Sequence, residues 1–139
     1  MKTIIFCVAA LVILDSALAI ELTPALKAEV ARGMNAATSA IGPGQALPTS
    51  AIQVLIREQK RHAKKSDAFK LGFAQGAVSW MHVAKQHALS LPIVEIEQAR
   101  TGWTIFSSEA TILQIRLKLT DAQMVKLFGA RAAAELKEF

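Results

Sequence analysis

Apolar residues recur at three- and four-residue spacing in several parts of the chain, which is the pattern of amphipathic helices. The first such helix has Thr23 as its cap and Pro24 in its first turn, which is a favourable helix start, and Gly42-Pro43-Gly44 ends it. The last begins at Thr120, whose spacing to Gln123 predicts a capping box. We expect the chain from there onward to form one terminal amphipathic helix.

Two further helices are predicted in the middle of the chain. Ser50 and Gln53 have the spacing of a capping box, and the helix after them has one apolar and one basic side. The next helix runs from Asp67 to about Ala88 and is apolar on both sides, as the central helix of a bundle is. Gly72 and Gly76 each weaken it by about 1 kcal/mol relative to Ala, so we expect another backbone to come close to them.

Residues 93–119 allow two interpretations. Ile115 to Thr120 alternate strictly between apolar and polar side chains, which favours a strand, and Trp103 to Phe106 could be its hairpin partner. Against this, Leu, Gln, Arg and Lys are all good helix formers. The sequence therefore predicts a mainly α fold, a small bundle of four or five helices. An α+β fold with a β-hairpin at about 103–119 is the alternative.

The first nineteen residues resemble a secretory signal peptide. Lys2 is followed by an apolar run from Ile4 to Leu14, and the small residues Ala17-Leu18-Ala19 follow. A basic start, a short apolar run and an A-x-A ending are the pattern that a signal peptidase cleaves. We expect cleavage between Ala19 and Ile20, which leaves residues 20–139 as a single helical domain, periplasmic or secreted.

Composition agrees with a domain that depends on its core alone. The only cysteine, Cys7, lies inside the signal peptide, so the exported domain would contain no disulfide. About 120 residues suffice for a core of this kind. The chain has 16 Lys and Arg residues against 11 Asp and Glu residues, which gives a net charge of +5.

Most of that positive charge lies in residues 57–70. At about 100° per residue, four basic side chains fall on the side of the second helix opposite its apolar stripe. They are Arg57, Lys60, Arg61 and Lys64. Such a face can be merely solvated, or it can bind an acidic protein or anionic lipid headgroups. A nucleic acid is not expected, because the face has no interleaved aromatic residues and export removes it from most nucleic acid.

The sequence offers no constellation that would start a catalytic mechanism. His82 and His87 would be about 140° apart on a helix, so they cannot share a metal, and we expect His87 to pack in the core. Glu95 and Glu97 diverge on a helix and would complement its dipole. Ser79 lacks the glycines of a nucleophile elbow. We therefore expect no enzyme activity, no cofactor and no metal.

Two short segments resemble the core signature of the Rap/Tai family, the exported immunity proteins that act against type VI peptidoglycan amidases. They are Lys70-Leu71-Gly72-Phe73-Ala74-Gln75-Gly76 and Ser90-Leu91-Pro92. Lys70 and Ser90 stand where members of that family have cysteines, so both would be missing together. The resemblance implies an all-helical fold and an inhibitory binding role, and it transfers no catalytic residue.

The expected function is protein–protein binding, with immunity or inhibition of an envelope-acting enzyme as the specific hypothesis. Trp103 is a further candidate contact, because Trp is enriched among interface anchors, although a core position is the favoured interpretation for this residue. The segment from it to Glu109 is expected to be exposed. The predicted partner-binding residues are thus Arg57, Lys60, Arg61, Lys64 and Trp103. The alternatives are a cationic envelope or membrane-surface protein and an assembly component of a secretion or conjugation system. The oligomeric state is left open.

Overall fold

The computed structural model describes residues 21–41, 47–87 and 90–139, and these ranges contain six helices and no strand. The signal peptide predicted for residues 1–19 lies outside them, as does most of the loop after the first helix. The helices are α1 (Pro24–Ile41), α2 (Pro48–Arg61), α3 (Asp67–Gln86), α4 (Ile93–Arg116), α5 (Asp121–Phe128) and α6 (Ala130–Glu135). The prediction of a mainly α bundle is confirmed.

Helix α3 is the centre of the bundle. It begins at an N-cap, Ser66, whose side chain accepts a hydrogen bond from the backbone N–H of Phe69 at 3.2 Å. It packs against α1 on one side and α4 on the other, while α2 contacts α1 and α4. Because neighbours surround it, buried residues occur on every side of it, as its two apolar faces predict. His87, in contrast, is exposed at its end, so the expectation of a core histidine there is wrong.

The α1–α3 crossing is close because each helix presents a glycine to the other. An added Cβ on Gly72 would lie 2.8 Å from the carbonyl carbon of Val30, and one on Gly33 would lie 2.8 Å from that of Phe69. Beside them, a Cβ on Gly76 would meet the Cβ of Ala37 at 3.0 Å. The expectation that another backbone approaches α3 at its glycines is confirmed.

The hairpin alternative is wrong, because residues 93–116 form one continuous helix, α4. The alternating residues from Ile115 onward instead include the end of that helix. Lys118 has a left-handed backbone (φ 55°). Its N–H donates to the backbone oxygen of Ile115 at 3.1 Å, and the N–H of Leu119 donates to the backbone oxygen of Gln114 at 3.0 Å. These two bonds make a Schellman motif, which directs Leu119 into the core, where it is buried.

Two helix boundaries differ from the predictions, although the capping box at Thr120 is confirmed. The terminal segment is two helices, because the chain turns at Gly129 (φ 88°), a conformation that favours glycine. Helix α2 begins at Pro48, not after a capping box at Ser50. At the start of α2, the backbone N–H of Thr49 donates to the carboxylate of Glu95 at 2.9 Å, so Glu95 takes the place of a local cap.

Candidate partner-binding surface

The four predicted basic residues lie together on the surface. Arg57, Lys60 and Arg61 belong to the last turns of α2, and Lys64 lies in the turn that follows it. That turn is closed by a hydrogen bond of 3.0 Å from the N–H of Lys65 to the oxygen of His62. All four side chains are exposed. We call this set, Arg57, Lys60, Arg61 and Lys64, the basic face.

The charge of the basic face is largely unbalanced by neighbouring acids. The guanidinium of Arg61 lies 3.5 Å from the carboxylate of Glu58, one helical turn earlier, and the Arg61 side chain is 74 % exposed. A pair of this kind contributes little, because water screens it. Arg57, Lys60 and Lys64 take part in no ion pair within the described ranges. The face therefore presents positive charge to an incoming molecule.

A surface cavity of about 290 Å³ adjoins the basic face, between α2, α3 and α4. Its polar lining comes from Gln59, Lys60, Lys70 and Glu109, and Phe73 supplies an apolar surface. The ring of Phe73 is almost fully buried and meets Phe106 edge-on, at 6.4 Å between centroids, so it is fixed in place. Lys60 and Lys70 therefore give the cavity positive charge that Glu109 offsets in part, and the buried ring of Phe73 closes its inner end.

The structure does not bring Trp103 to the basic face. Its indole N–H donates to the backbone oxygen of Glu135 at 2.7 Å, and its ring lies 6.0 Å from that of Phe139. His82 is 3.0 Å from the same Glu135 oxygen and 5.6 Å from the Phe139 ring. Trp103 is half-buried, and together with His82 it fastens the end of α6 and Phe139 to α4 and α3.

The segment from Trp103 to Glu109 is only partly exposed. Phe106 and Ser107 are buried, which corrects the expectation for those two positions, whereas Thr104, Ile105 and Ser108 are exposed. The exposed members belong to a longer surface that the sequence interpretation missed. We call it the outer face of α4, and it consists of Thr101, Thr104, Ile105, Ser108, Thr111, Ile112 and Ile115.

The outer face carries no charged residue along four helical turns. Three of its members are isoleucines, exposed by 37 % (Ile105), 47 % (Ile112) and 71 % (Ile115). Glu109, on the neighbouring side of the helix, belongs to the cavity beside the basic face. An uncharged strip thus lies next to a positively charged surface. The sequence does contain a signal for this strip, namely intervals of four and three residues between its members. These members are Thr101, Ile105, Ser108, Ile112 and Ile115.

A second cavity, of about 300 Å³, lies between α4, α5 and α6. Met124 and Leu136 are part of its apolar lining, and Gln114, Asp121 and Lys137 are part of its polar lining. The hydrogen bond from Gln114 (2.9 Å) and the positive charge of Lys137 (3.5 Å) lower the pKa of Asp121 below its ordinary value. Over the described part of the chain, no three His, Cys, Asp or Glu residues come close enough together to hold a metal ion.

Comparison of the chain with family models, with curated proteins and with solved structures finds no match. A search of the described helices finds none with the length and hydropathy needed to span a bilayer.

Proposed function

We propose that the protein is exported and acts without catalysis, by binding another protein through its basic face. Its role would be immunity against, or inhibition of, an envelope-acting enzyme, as the resemblance to the Rap/Tai family implies. The observation that carries the proposal is the exposed and unpaired charge of Arg57, Lys60 and Lys64 beside a surface cavity to which Lys60 itself contributes. An acidic partner is the complement of this surface.

The physical contribution of such a face is to the rate and the specificity of binding. Clustered like charges attract an oppositely charged partner over about a Debye length, roughly 8 Å at physiological ionic strength, and raise the association rate. The rigid bundle behind the face costs little conformational entropy on binding. Binding should accordingly weaken as salt increases.

The test is capture of the partner from envelope extract by the tagged protein, at low and at high salt. The binding variant is Lys60→Glu, Arg61→Glu, Lys64→Glu. The control is Lys27→Glu, Lys126→Glu, Arg131→Glu, which reverses the same residue types at exposed positions away from the basic face. We expect the control and the unmodified protein to retain one partner, whose hydrolytic activity falls on binding, and the binding variant to lose it. Equal retention by both variants contradicts the proposal.

A membrane-surface role is the second candidate, and the basic face itself favours it, because exposed lysines and arginines attract anionic headgroups. Co-sedimentation with vesicles of phosphatidylglycerol and phosphatidylcholine separates the two functions. If the unmodified protein binds these vesicles at low salt and the reversed Lys60, Arg61 and Lys64 variant does not, while no protein partner is retained, the membrane role replaces the inhibitor role.

A further inference from the structure

The outer face of α4 has the pattern of a helix that expects a neighbour. Thr101, Ile105, Ser108, Ile112 and Ile115 follow one another at intervals of four and three residues, and the pattern ends one turn before Thr101, where the same face carries the exposed Glu97. This is the spacing of the contact seam in a coiled coil. Helix α4 therefore has two such sides, one buried in the bundle and one exposed to solvent.

The threonines make the outer face more apolar than their residue type suggests. The hydroxyl groups of Thr101, Thr104 and Thr111 each donate to the backbone oxygen four residues earlier, of Glu97, Arg100 and Ser107, all at 3.0 Å. Their donor capacity is thereby used within the helix, and each β-carbon still carries a methyl group. Together with the isoleucines, these groups form a methyl-rich strip.

The shape of the strip fits a second helix. Thr101 to Ile115 extend over roughly 20 Å at 1.5 Å per residue, along a straight element with no turn or groove across it. Ser108 and the threonines are small, so another backbone can approach closely between the isoleucines, which then fit into its surface as knobs fit holes. An extended peptide would leave its own backbone groups unpaired against this apolar surface.

The charges beside the strip indicate what the second helix carries. Arg100 and Arg116 lie roughly 80° to either side of Ser108, at 100° per residue. Arg100 is 4.0 Å from Glu97, but this pair is exposed on both sides and therefore screened by water. On the α2 side, Lys60 and Lys70 line the cavity with Glu109. A second copy of this chain, with the same basic flanks and a net charge of +5, would be repelled. Acidic flanks are the complement.

We infer that the outer face of α4 docks an amphipathic helix of the bound protein, one with an apolar seam and Asp or Glu at its flanks. The inference rests on the proposed function, since it assigns a second part of the same interface. The basic face attracts the partner, and the methyl-rich strip excludes water where the two helices meet. Contacts of this uncharged kind determine the dissociation rate more than the association rate.

The test is site-specific photo-cross-linking of the complete chain in the cells that naturally make it. The photoreactive amino acid p-benzoylphenylalanine replaces Ile112 on the outer face, Lys60 on the basic face, or Val83, an exposed valine of α3 that serves as the control. Mass spectrometry then identifies the cross-linked peptide. We expect an adduct at position 112 whose peptide has apolar residues at three- and four-residue intervals flanked by acids, and none at position 83.

A companion variant tests whether the apolar strip is what binds. Ile105→Glu should lower the yield of the adduct at position 112 at least about tenfold, because docking would bury an unpaired carboxylate, whereas Val125→Glu, at a similarly exposed valine of α5, should not. An adduct at Lys60 without one at Ile112 overturns the inference and leaves the proposed function standing. A self-adduct, or a peptide without acidic flanks, also overturns it. Absence of adducts at both positions contradicts the inference and the proposed function together.

Discussion

Replacement of Gly72 by Ala tests the packing on which the bundle depends. A Cβ at Gly72 would lie 2.8 Å from the carbonyl carbon of Val30, closer than real Cβ atoms come, and 3.0 Å from its Cα, which is also a tight contact. The obstructing atoms are backbone, so no side chain can rotate away, and α1 must move from α3. Because α1 and α3 share the closest crossing in the bundle, that movement disturbs contacts along both helices.

The expected loss is about 2 kcal/mol of unfolding free energy. Overpacking costs about 1–3 kcal/mol, and a clash with backbone belongs at the upper end of that range. Alanine returns about 1 kcal/mol through its higher helix propensity. Urea unfolding followed by circular dichroism measures the difference, and in a thermal scan it corresponds to a midpoint about 8 °C lower for a domain of this size.

Gly76→Ala is the matched control in the same helix. Its added Cβ would meet the Cβ of Ala37 at 3.0 Å and the oxygen of Met34 at 3.2 Å, contacts that a small separation of the helices relieves. Its steric cost is therefore of the same order as the propensity gain of about 1 kcal/mol, and its stability should stay near that of the unmodified protein. Equal stability of the Gly72 and Gly76 variants would refute the close crossing.

Three further predictions concern single contacts. Glu95→Gln should cost about 1–2 kcal/mol in urea unfolding, because the carboxylate binds the backbone N–H and the hydroxyl of Thr49 from a buried position; unchanged stability would show that the contact is dispensable. Asp121→Asn should lower stability at neutral pH but not in strong acid. The folded-state pKa of Asp121 is depressed, so its carboxylate stabilises the fold fully above the unfolded pKa near 3.8, and this stabilisation disappears as the pH falls through the folded-state pKa. A stability difference that is independent of pH would contradict this. Gly129→Ala should cost about 1–3 kcal/mol through backbone strain alone, since open space surrounds the position (φ 88°), and a variant as stable as the unmodified protein would show that the turn relaxes freely.

Helix boundaries were predictable where the signal is local. Thr23 caps α1, with its hydroxyl accepting the N–H of Leu26 at 3.1 Å, and Thr120 caps α5, because in each case the partner is only three residues away. The start of α2 was mispredicted for the opposite reason. Its N-terminal donor is bound by Glu95, which follows Thr49 by 46 residues, and no local pattern contains that contact.

The ambiguity at residues 93–119 has a specific physical origin. Helix α4 is apolar on its buried side and methyl-rich on its outer face, so it lacks the single stripe by which an amphipathic helix is recognised. The alternation from Ile115 to Leu119 includes a helix end and the left-handed Lys118, a conformation more often adopted by glycine. A strand pattern and a Schellman motif at lysine cannot be distinguished over so few residues.

The candidate site was predictable in part. The exposure of the basic face followed from helical spacing, since the opposite side of α2 carries the buried Ala51, Ile52 and Leu55. The position of Trp103 did not follow, because its partner, the backbone oxygen of Glu135, belongs to a separate helix. The outer face of α4 was missed because threonine counts as polar by residue type, whereas its hydroxyl bonds back into the helix.

Export is the claim on which the proposed function depends, and intact-mass analysis after cell fractionation tests it most directly. The account predicts that the protein is recovered from the periplasm or the medium, with a mass that begins at Ile20. Recovery of the unprocessed chain of 139 residues from the cytoplasm would contradict it.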